Sequence, residues 1–361
     1  GVYLIKKEGI GIEAQRGYRV AQKVQDGLLG LAVGDAMGVP LEFSMRKQLQ
    51  NNPVCEMLGY GSHQVPAGCW SDDTTMTICE MESFSRLGNW DYRDIFQNFL
   101  SWVTQGAFTP MGKPFGIGRT CLGAIHRFNQ GTEPVACGAV RPNENGNGAL
   151  MRMHPVALFA WARGLPAEEN QRLCDEVSAL THAHPISKMG CRLYVDFCRG
   201  ILEGMSPREA LHFIRRQDYR DYGAETIASY QRILGDGLEL LELAEIRSGG
   251  YVVDTLEAAL WVLLRSSSYA ETVMGAINLG QDTDTIAAVA GSLAGIFYGA
   301  ESIPPDWWNA LQRRPYLEEV ASQFAAALEA RSQSAPPAGS LGGESGSAGL
   351  AGLVRPARGP R

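Results

Sequence analysis

The sequence predicts an all-α protein built as one compact domain of orthogonal helices, and two observations support that prediction. Apolar residues recur three or four positions apart over most of the chain, whereas the alternation typical of strands is scarce. No fixed-period repeat and no linker interrupts residues 15–331. We therefore expect a single helical domain over 15–331, preceded by an N-terminal extension over 1–14.

Four stretches show the helical period most clearly. In chain order, their apolar positions are Val20, Val24, Leu28 and Leu31; Ile95, Phe99 and Val103; Leu256, Leu260, Leu263 and Leu264; and Val320, Phe324 and Leu328. A fifth stretch, 285–300, carries no charge and is rich in Ala, Gly and Ser. Because a membrane span needs roughly 20 apolar residues, we interpret this stretch as a buried helix.

Loops are predicted where Gly, Pro and Asn cluster, at residues 59–68, 109–118, 131–148 and 248–250. Functional groups concentrate in loops that a rigid frame positions, so we expect the chemistry there. Residues 332–361 contain no aromatic side chain and are dominated by Ser, Gly, Pro and Ala. Such a composition buries too little apolar surface to offset the ordering entropy, which predicts a disordered tail.

Composition excludes several classes of protein. The chain has 361 residues, 45% hydrophobic and 20% charged, with 42 glycines and 8 scattered cysteines, which is typical of a globular protein with a large core. A net charge of −7 argues against an extended nucleic-acid or anionic-membrane surface. The cysteines form no paired framework and no signal-peptide pattern is present, so we expect a cytoplasmic protein with its cysteines in the core. The sequence does not reveal the oligomeric state, and a monomer is the default expectation.

Two acidic clusters stand directly before apolar helical runs. Ser71, Asp72 and Asp73 precede one run, and Asp282, Asp284 and Thr285 precede the other. Neighbours on a regular helix diverge by about 100°, so these oxygens can converge only at a helix N-terminus. Two N-caps are the simpler interpretation of the clusters. One capping carboxylate per helix is enough, however, and surplus acids repel one another unless a cation neutralises them.

The residue types indicate which cation would fit. Carboxylate and hydroxyl oxygens, without a nearby Cys/His pair at ligand spacing, favour Mg²⁺ or Mn²⁺. His182 and His184 form a His-x-His pair, but no further soft ligands stand at a spacing suited to zinc. Six oxygen ligands from two loops would suffice for a binuclear site that binds hydroxyl groups and activates water.

Several motifs together resemble the ADP-ribosylglycohydrolase family, which includes the dinitrogenase-reductase-activating glycohydrolase and the ADP-ribosyl-acceptor hydrolases. In chain order they are the glycine-rich segment 27–38 with G-D-A-M-G, Glu42, S-D-D-T at 71–74, G-N-G-A-L-M-R at 146–152, Thr181 with His182, and Q-D-T-D-T at 281–285. The resemblance spans about residues 26–298 and implies an all-α fold with two Mg²⁺ or Mn²⁺ ions at the bottom of a cleft.

The resemblance also implies roles for individual residues. The metal ligands it implies are Ser71, Asp72, Asp73, Asp282, Asp284 and Thr285, and the catalytic residues are Glu42, Asp73 and Asp284. The ligand-binding residues it implies are Gly146, Asn147, Gly148, Met151, His182 and Phe115. A simpler interpretation of Glu42 is a solvated carboxylate after a proline. We interpret Asp35 as a brace for the ligands.

The glycines also have a physical interpretation. Without side chains at Gly146 and Gly148, backbone N–H groups can approach a diphosphate, and the run 149–153 can offer a helix N-terminus. Gly30, Gly34 and Gly38 are expected to permit close helix packing. Arg152 fits a structural or a functional role equally well.

One departure from the family pattern concerns substrate recognition. Many bacterial relatives carry an acid in a P-F-D-I-G loop, where this chain has Gly116. Gly116 cannot perform that acid's role, which puts strict arginine specificity in doubt.

Together, these features predict a metal-dependent hydrolase that cleaves ADP-ribose from an acceptor such as a protein arginine. A non-catalytic ADP-ribose-binding relative and a metal-dependent phosphoesterase are the alternatives.

Overall fold

The computed structural model describes residues 2–330, with side chains from residue 16 onward, and the tail predicted over 332–361 lies outside them. The described part contains sixteen α-helices. They are α1 (Val2–Gly38), α2 (Arg46–Asn51), α3 (Asp72–Leu87), α4 (Tyr92–Gln105), α5 (Arg119–Asn129), α6 (His154–Arg163), α7 (Ala167–Ala179), α8 (Pro185–Leu202), α9 (Pro207–Arg215), α10 (Ala224–Ser229), α11 (Gln231–Leu234), α12 (Val252–Arg265), α13 (Tyr269–Ile277), α14 (Thr283–Tyr298), α15 (Pro305–Ala310) and α16 (Arg314–Glu329). Extended residues in this part form only isolated bridges, so the all-α prediction is confirmed.

The periodic stretches form α1, α4, α12 and α16, and their apolar positions, apart from the buried Leu31, belong to one continuous core or pack against it. The uncharged stretch forms α14, which is buried along nearly its whole length. Within residues 2–330, no helix combines the length and the apolar character that a membrane crossing requires.

An antiparallel contact between α1 and α14 organises the centre of the molecule. A Cβ atom on Gly30 would lie 2.3 Å from the carbonyl oxygen of Gly291, and one on Gly34 would lie 2.1 Å from that of Ala287. At the end of α1, a Cβ atom on Gly38 would lie 2.5 Å from the Cα of Asp284. The two backbones therefore touch without intervening side chains, which confirms the predicted packing role of these glycines.

Two helices begin beside the C-terminus of α1. Thr283 opens α14 and donates its hydroxyl hydrogen to the carbonyl oxygen of Gly38 at 2.7 Å. Asp35, in the last turn of α1, accepts hydrogen bonds from both the backbone and the hydroxyl of Ser71 and of Thr74 at the start of α3. The positive ends of the α3 and α14 dipoles thus meet at one place, which favours negative charge there.

All eight cysteines lie in the described residues and are unpaired. Seven are buried, as expected. Cys55 is exposed, in the loop that follows α2, so the expectation of a core position is wrong for this residue.

Candidate active site

Both acidic clusters stand at helix N-termini. Ser71 caps α3, its hydroxyl oxygen accepting a hydrogen bond from the backbone N–H of Asp73 at 3.3 Å. Asp282 precedes α14, but its side chain makes no capping hydrogen bond. The serine alone therefore meets the capping requirement of α3, and no carboxylate caps α14 in this way. Capping does not account for the acids.

The carboxylates of the two clusters converge. Thr285 donates its hydroxyl hydrogen to Asp73 Oδ1 at 2.8 Å, joining the start of α14 to the start of α3. Carboxylate oxygens of Asp35, Asp73 and Asp284 all lie within 4.8 Å of one another and are buried. These residues come from three separate helices.

Ser71 shows how crowded this arrangement is. Its hydroxyl oxygen lies 2.7 Å from Asp35 Oδ1 and 2.6 Å from Asp73 Oδ2. A serine hydroxyl has one hydrogen and can donate to only one of the two carboxylates. The carboxylate that receives no hydrogen from Ser71 therefore needs compensation. Either one of the two carboxyl groups carries a proton, or a cation lies beside these three oxygen atoms.

The pKa shifts of the cluster also indicate that its carboxylates need a proton or a cation. Burial, reinforced by neighbouring carboxylates, raises the pKa of Asp72, Asp73 and Asp284 well above its ordinary value. Burial also raises the pKa of Asp282, and it raises the pKa of Asp35 to about 6 in spite of four hydrogen bonds to its carboxylate. Within residues 16–330, no lysine or arginine forms an ion pair with any of the five.

This donor set suits a hard divalent cation. The converging atoms are carboxylate and hydroxyl oxygens, the ligand type of Mg²⁺ and Mn²⁺, and a dication would relieve the repulsion among them. Of the six ligands predicted, the structure brings Ser71, Asp73, Asp284 and Thr285 together. Asp282 lies beside them, and the half-buried Asp72 stands at the rim of the cluster. Asp35 braces the start of α3, and its carboxylate also approaches the ligands directly.

Glu42 lies over the cluster in the loop after α1. Its Oε1 is 2.6 Å from Nε2 of His63, and carboxylate oxygens of Glu42 and Asp284 and a ring nitrogen of His63 lie within 4.8 Å of one another. Burial tends to raise the pKa of Glu42, but hydrogen bonds with His63 and Asp284 outweigh it and leave this pKa below its ordinary value. Glu42 differs in this respect from the five aspartates, and it is no free solvated carboxylate.

His63 is the site residue that sequence reasoning did not single out. It lies within residues 59–68, one of the four loops expected to carry chemistry, and that loop is the only signal that pointed toward it. His63 has no second histidine or cysteine at a spacing typical of metal ligands, so the sequence around it forms no recognisable motif.

The glycine-rich loop 146–148 lies beside the second cluster. Asn147 donates through Nδ2 to Asp282 Oδ2 at 2.6 Å and to Thr255 Oγ1 at 2.9 Å, so its side chain orients a carboxylate. A Cβ atom on Gly148 would lie 2.7 Å from both Cys121 Sγ and His182 Cε1, which excludes any side chain there.

The expectation that a helix N-terminus directly follows this loop is wrong. Met151 is buried in a single 3-10 turn, Leu150–Arg152, and the α-helix begins only at His154. Three residues are too few to build an aligned row of amide dipoles.

His182 and Arg152 are buried behind the loop. His182 Nδ1 lies 2.8 Å from Thr181 Oγ1, and burial lowers the pKa of His182 to about 3, which keeps the ring neutral. Arg152 is fully buried, 3.0 Å from Glu80 and 2.6 Å from Thr181 Oγ1, so its role is structural. His184 caps α8 through Nδ1.

Phe115 and Gly116 form the opposite rim. Phe115 is half-buried, with its ring centroid 5.3 Å from that of His63. Gly116 has φ +72°, and a Cβ atom on it would lie 3.3 Å from Asp72 Oδ1. An acidic side chain at this position would be strained and would face another carboxylate.

All four predicted loops therefore meet at one place. His63 of loop 59–68 contacts Glu42, and Phe115 of loop 109–118 packs beside His63. Asn147 of loop 131–148 donates to Asp282. In the fourth loop, the Ser248 carbonyl oxygen accepts from the backbone N–H of Asp282 at 3.0 Å. The fold and the site define an all-helical enzyme with a carboxylate-lined centre.

Comparison with known proteins identifies the family. The family model for ADP-ribosylglycohydrolase matches residues 16–334, and the chain belongs to this family of hydrolases. The ADP-ribosylarginine hydrolase Tri1 of Serratia proteamaculans is 31% identical over 84% of this chain and 78% of its own length. The ADP-ribosyl-[dinitrogen reductase] glycohydrolase of Rhodospirillum rubrum is 27% identical over 82% and 93%. A solved structure, titled ADP-ribosylglycohydrolase-related protein complex, matches with a TM-score of 0.71 and 28% identity, over 86% of this chain and 99% of that one.

Proposed function

We propose that this hydrolase releases ADP-ribose from mono-ADP-ribosylated proteins by cleaving the N-glycosidic bond to an arginine side chain. The observation that carries the proposal is the buried cluster of Asp35, Asp73 and Asp284 beneath Glu42, because no lysine or arginine among the described side chains forms an ion pair with these aspartates. Its similarity to proteins named ADP-ribosylarginine hydrolase supports arginine as the acceptor.

Two divalent cations, Mg²⁺ or Mn²⁺, complete the site in this proposal. The residues that would hold them are Ser71, Asp72, Asp73, Asp282, Asp284 and Thr285. Such cations would relieve the repulsion among the carboxylates and would supply a Lewis acid for the hydroxyl groups of the ribose and for the attacking water.

The protein's own residues then divide the remaining work. Glu42 is kept ionised, so it can accept a proton from the water that attacks the anomeric carbon. Positive charge develops on the sugar in the transition state, and the carboxylates of Asp73 and Asp284 stabilise it.

Ligand binding falls to the rim of the cluster. The loop 146–148, which carries Asn147, presents its backbone to the diphosphate of ADP-ribose, with His182 and Met151 supporting the loop from behind. Phe115 supplies an apolar wall on the opposite side. We propose that one copy of the domain over 15–331 forms the complete site, acting as a monomer in the cytoplasm.

The test is mass-spectrometric analysis of the products formed from proteins ADP-ribosylated on arginine or on serine, with Mg²⁺, with Mn²⁺ or with chelator. We expect cation-dependent release of intact ADP-ribose from the arginine-linked substrate. Release from the serine-linked substrate alone would contradict the acceptor. Phosphate or AMP as the product would indicate a phosphoesterase, and ADP-ribose binding without any release would indicate a non-catalytic binder.

A further inference from the structure

A tight turn over residues 60–65 is built onto the segment that leads to Glu42. Tyr60 and Gln64 have φ of 66° and 56°, which is rare for residues with a side chain, and Gly61 between them has φ 52°. A Cβ atom on Gly61 would lie 2.0 Å from the carbonyl oxygen of Pro40, and the Ser62 hydroxyl donates to the carbonyl oxygen of Val39 at 3.3 Å. Strained residues persist where surrounding contacts determine them, so this turn is held in one position.

The turn places His63 at the mouth of the acidic cluster. Its ring lies between two phenylalanines from separate segments, with ring centroids 6.1 Å from Phe43 and 5.3 Å from Phe115. The side chains of His63 and Glu42 are only 14% and 13% exposed. The imidazole is therefore fixed by packing before it makes its 2.6 Å hydrogen bond to Glu42.

Glu42 needs such an anchor. Its carboxylate faces Asp72, which repels it when ionised, and Asp284 can donate a hydrogen bond to it only while Asp284 itself carries a proton. No lysine or arginine in the described residues pairs with Glu42, and His63 supplies a nitrogen donor 2.6 Å from Oε1. Its Nε2–H offsets the repulsion at the point where Glu42 must stay to meet the substrate.

We propose that His63 is a positioning residue of this enzyme, which holds the Glu42 carboxylate over the acidic cluster by donating Nε2–H to Oε1. This inference rests on the proposed function of Glu42. It assigns to His63 no contact with the substrate, so its effect must pass through Glu42.

Three variants separate positioning from folding. His63→Leu keeps bulk between the two phenylalanines and removes the donor, whereas His63→Gln keeps an N–H donor near the position of Nε2. His126→Leu is the matched control, because His126 is exposed on α5. Glu42→Gln, alone and combined with His63→Leu, completes a double-mutant cycle.

We expect His63→Leu to lower kcat by about 10- to 100-fold, the effect of losing a hydrogen bond to a charged group, with KM changed by less than about threefold. His63→Gln should recover most of this loss. The loss should vanish in the Glu42→Gln background. Mn²⁺ affinity by calorimetry should match that of His126→Leu, and both variants should be fully folded at the assay temperature.

Two results would overturn the proposal: a kcat of His63→Leu equal to wild type, or the same loss in the presence and absence of the Glu42 carboxylate. The contact can also be tested without turnover, by urea unfolding of the four proteins of the cycle: wild type, His63→Leu, Glu42→Gln and the double variant. A coupling of at least about twofold in the unfolding equilibrium constant supports the anchor, and additive effects refute it. If the wild type releases no ADP-ribose, the proposed function fails, while the unfolding cycle still decides whether His63 holds Glu42.

Discussion

Gly34→Ala tests whether the contact between α1 and α14 positions the site. In most helix interiors, alanine is more stable than glycine by about 1 kcal/mol. Here the added Cβ would lie 2.1 Å from the carbonyl oxygen of Ala287, a backbone atom that cannot turn aside. The two helices would have to separate by roughly 1 Å, and overpacking of this kind costs about 1–3 kcal/mol.

The displacement reaches the acidic cluster directly. Asp35 follows Gly34 in the chain and holds Ser71 and Thr74 through four hydrogen bonds between 2.7 and 3.2 Å long. A shift of roughly 1 Å breaks one or more of them, at about 1 kcal/mol or more each. We expect Gly34→Ala to lower the free energy of unfolding by about 2 kcal/mol net and to weaken Mn²⁺ binding more than tenfold.

Gly275→Ala is the matched control. Gly275 also lies inside a helix, but its added Cβ would meet Val262 Cγ1 at 3.5 Å, an ordinary contact. Because the added Cβ makes no clash here, the higher helix propensity of alanine should determine the result. This variant should be as stable as wild type or up to about 1 kcal/mol more stable. Urea unfolding and calorimetric Mn²⁺ titration measure both variants. If Gly34→Ala matched Gly275→Ala in stability and bound Mn²⁺ like wild type, the reasoning would be refuted.

Three further predictions concern charge. Asp284→Asn should reduce cation-dependent ADP-ribose release by at least about 100-fold without lowering the Tm of the metal-free protein, since it removes a like charge; normal turnover would contradict the ligand assignment. Gly116→Ala and Gly116→Asp should both lower the free energy of unfolding by about 1 kcal/mol, because each places a side chain at a positive φ. The aspartate should lower it further in urea unfolding, because its carboxylate faces Asp72. Equal losses would argue against that repulsion. Burial raises the pKa of Glu80 from 4.5 to about 8 despite its ion pair with Arg152. The folded protein therefore binds this proton more tightly than the unfolded chain, so stability falls as pH rises from about 4.5 to about 8. Glu80→Gln should flatten that dependence in urea unfolding at pH 5 and pH 8, and an unchanged slope would count against the shifted pKa.

The predictable part of this protein is what local pattern determines. Apolar residues at helical spacing give α4 and α16 because a core-facing stripe is enough to specify a surface helix. The position of each acidic cluster at a helix N-terminus was also predictable, since consecutive oxygen-bearing residues can point one way only there. Geometry within a few residues determined these results.

The unpredicted part depends on contacts between distant segments. His63 meets Glu42 only because a turn with left-handed Tyr60 and Gln64 folds back onto the end of α1, and nothing local in the sequence marks that turn. Arg152 ends the 3-10 turn that follows the glycine-rich loop, yet its buried partner Glu80 lies on α3, so its structural role could not be predicted from its sequence neighbours. Cys55 is exposed whereas the other seven cysteines are buried, and no cysteine motif marked this difference.

The glycines of α1 and the acids of the site act as one unit. Helices separated by ordinary side chains have axes about 8–10 Å apart, too far for short aspartate side chains on different helices to share a cation. Gly34 and Gly38 remove the side chains between α1 and α14, so Asp35 reaches within 4.8 Å of Asp73 and Asp284. The closeness that a shared cation requires also creates the repulsion that raises the pKa of these carboxyl groups. A looser helix pair would relieve that repulsion and lose the site, which gives a physical reason why G-D-A-M-G and Q-D-T-D-T occur together in one chain.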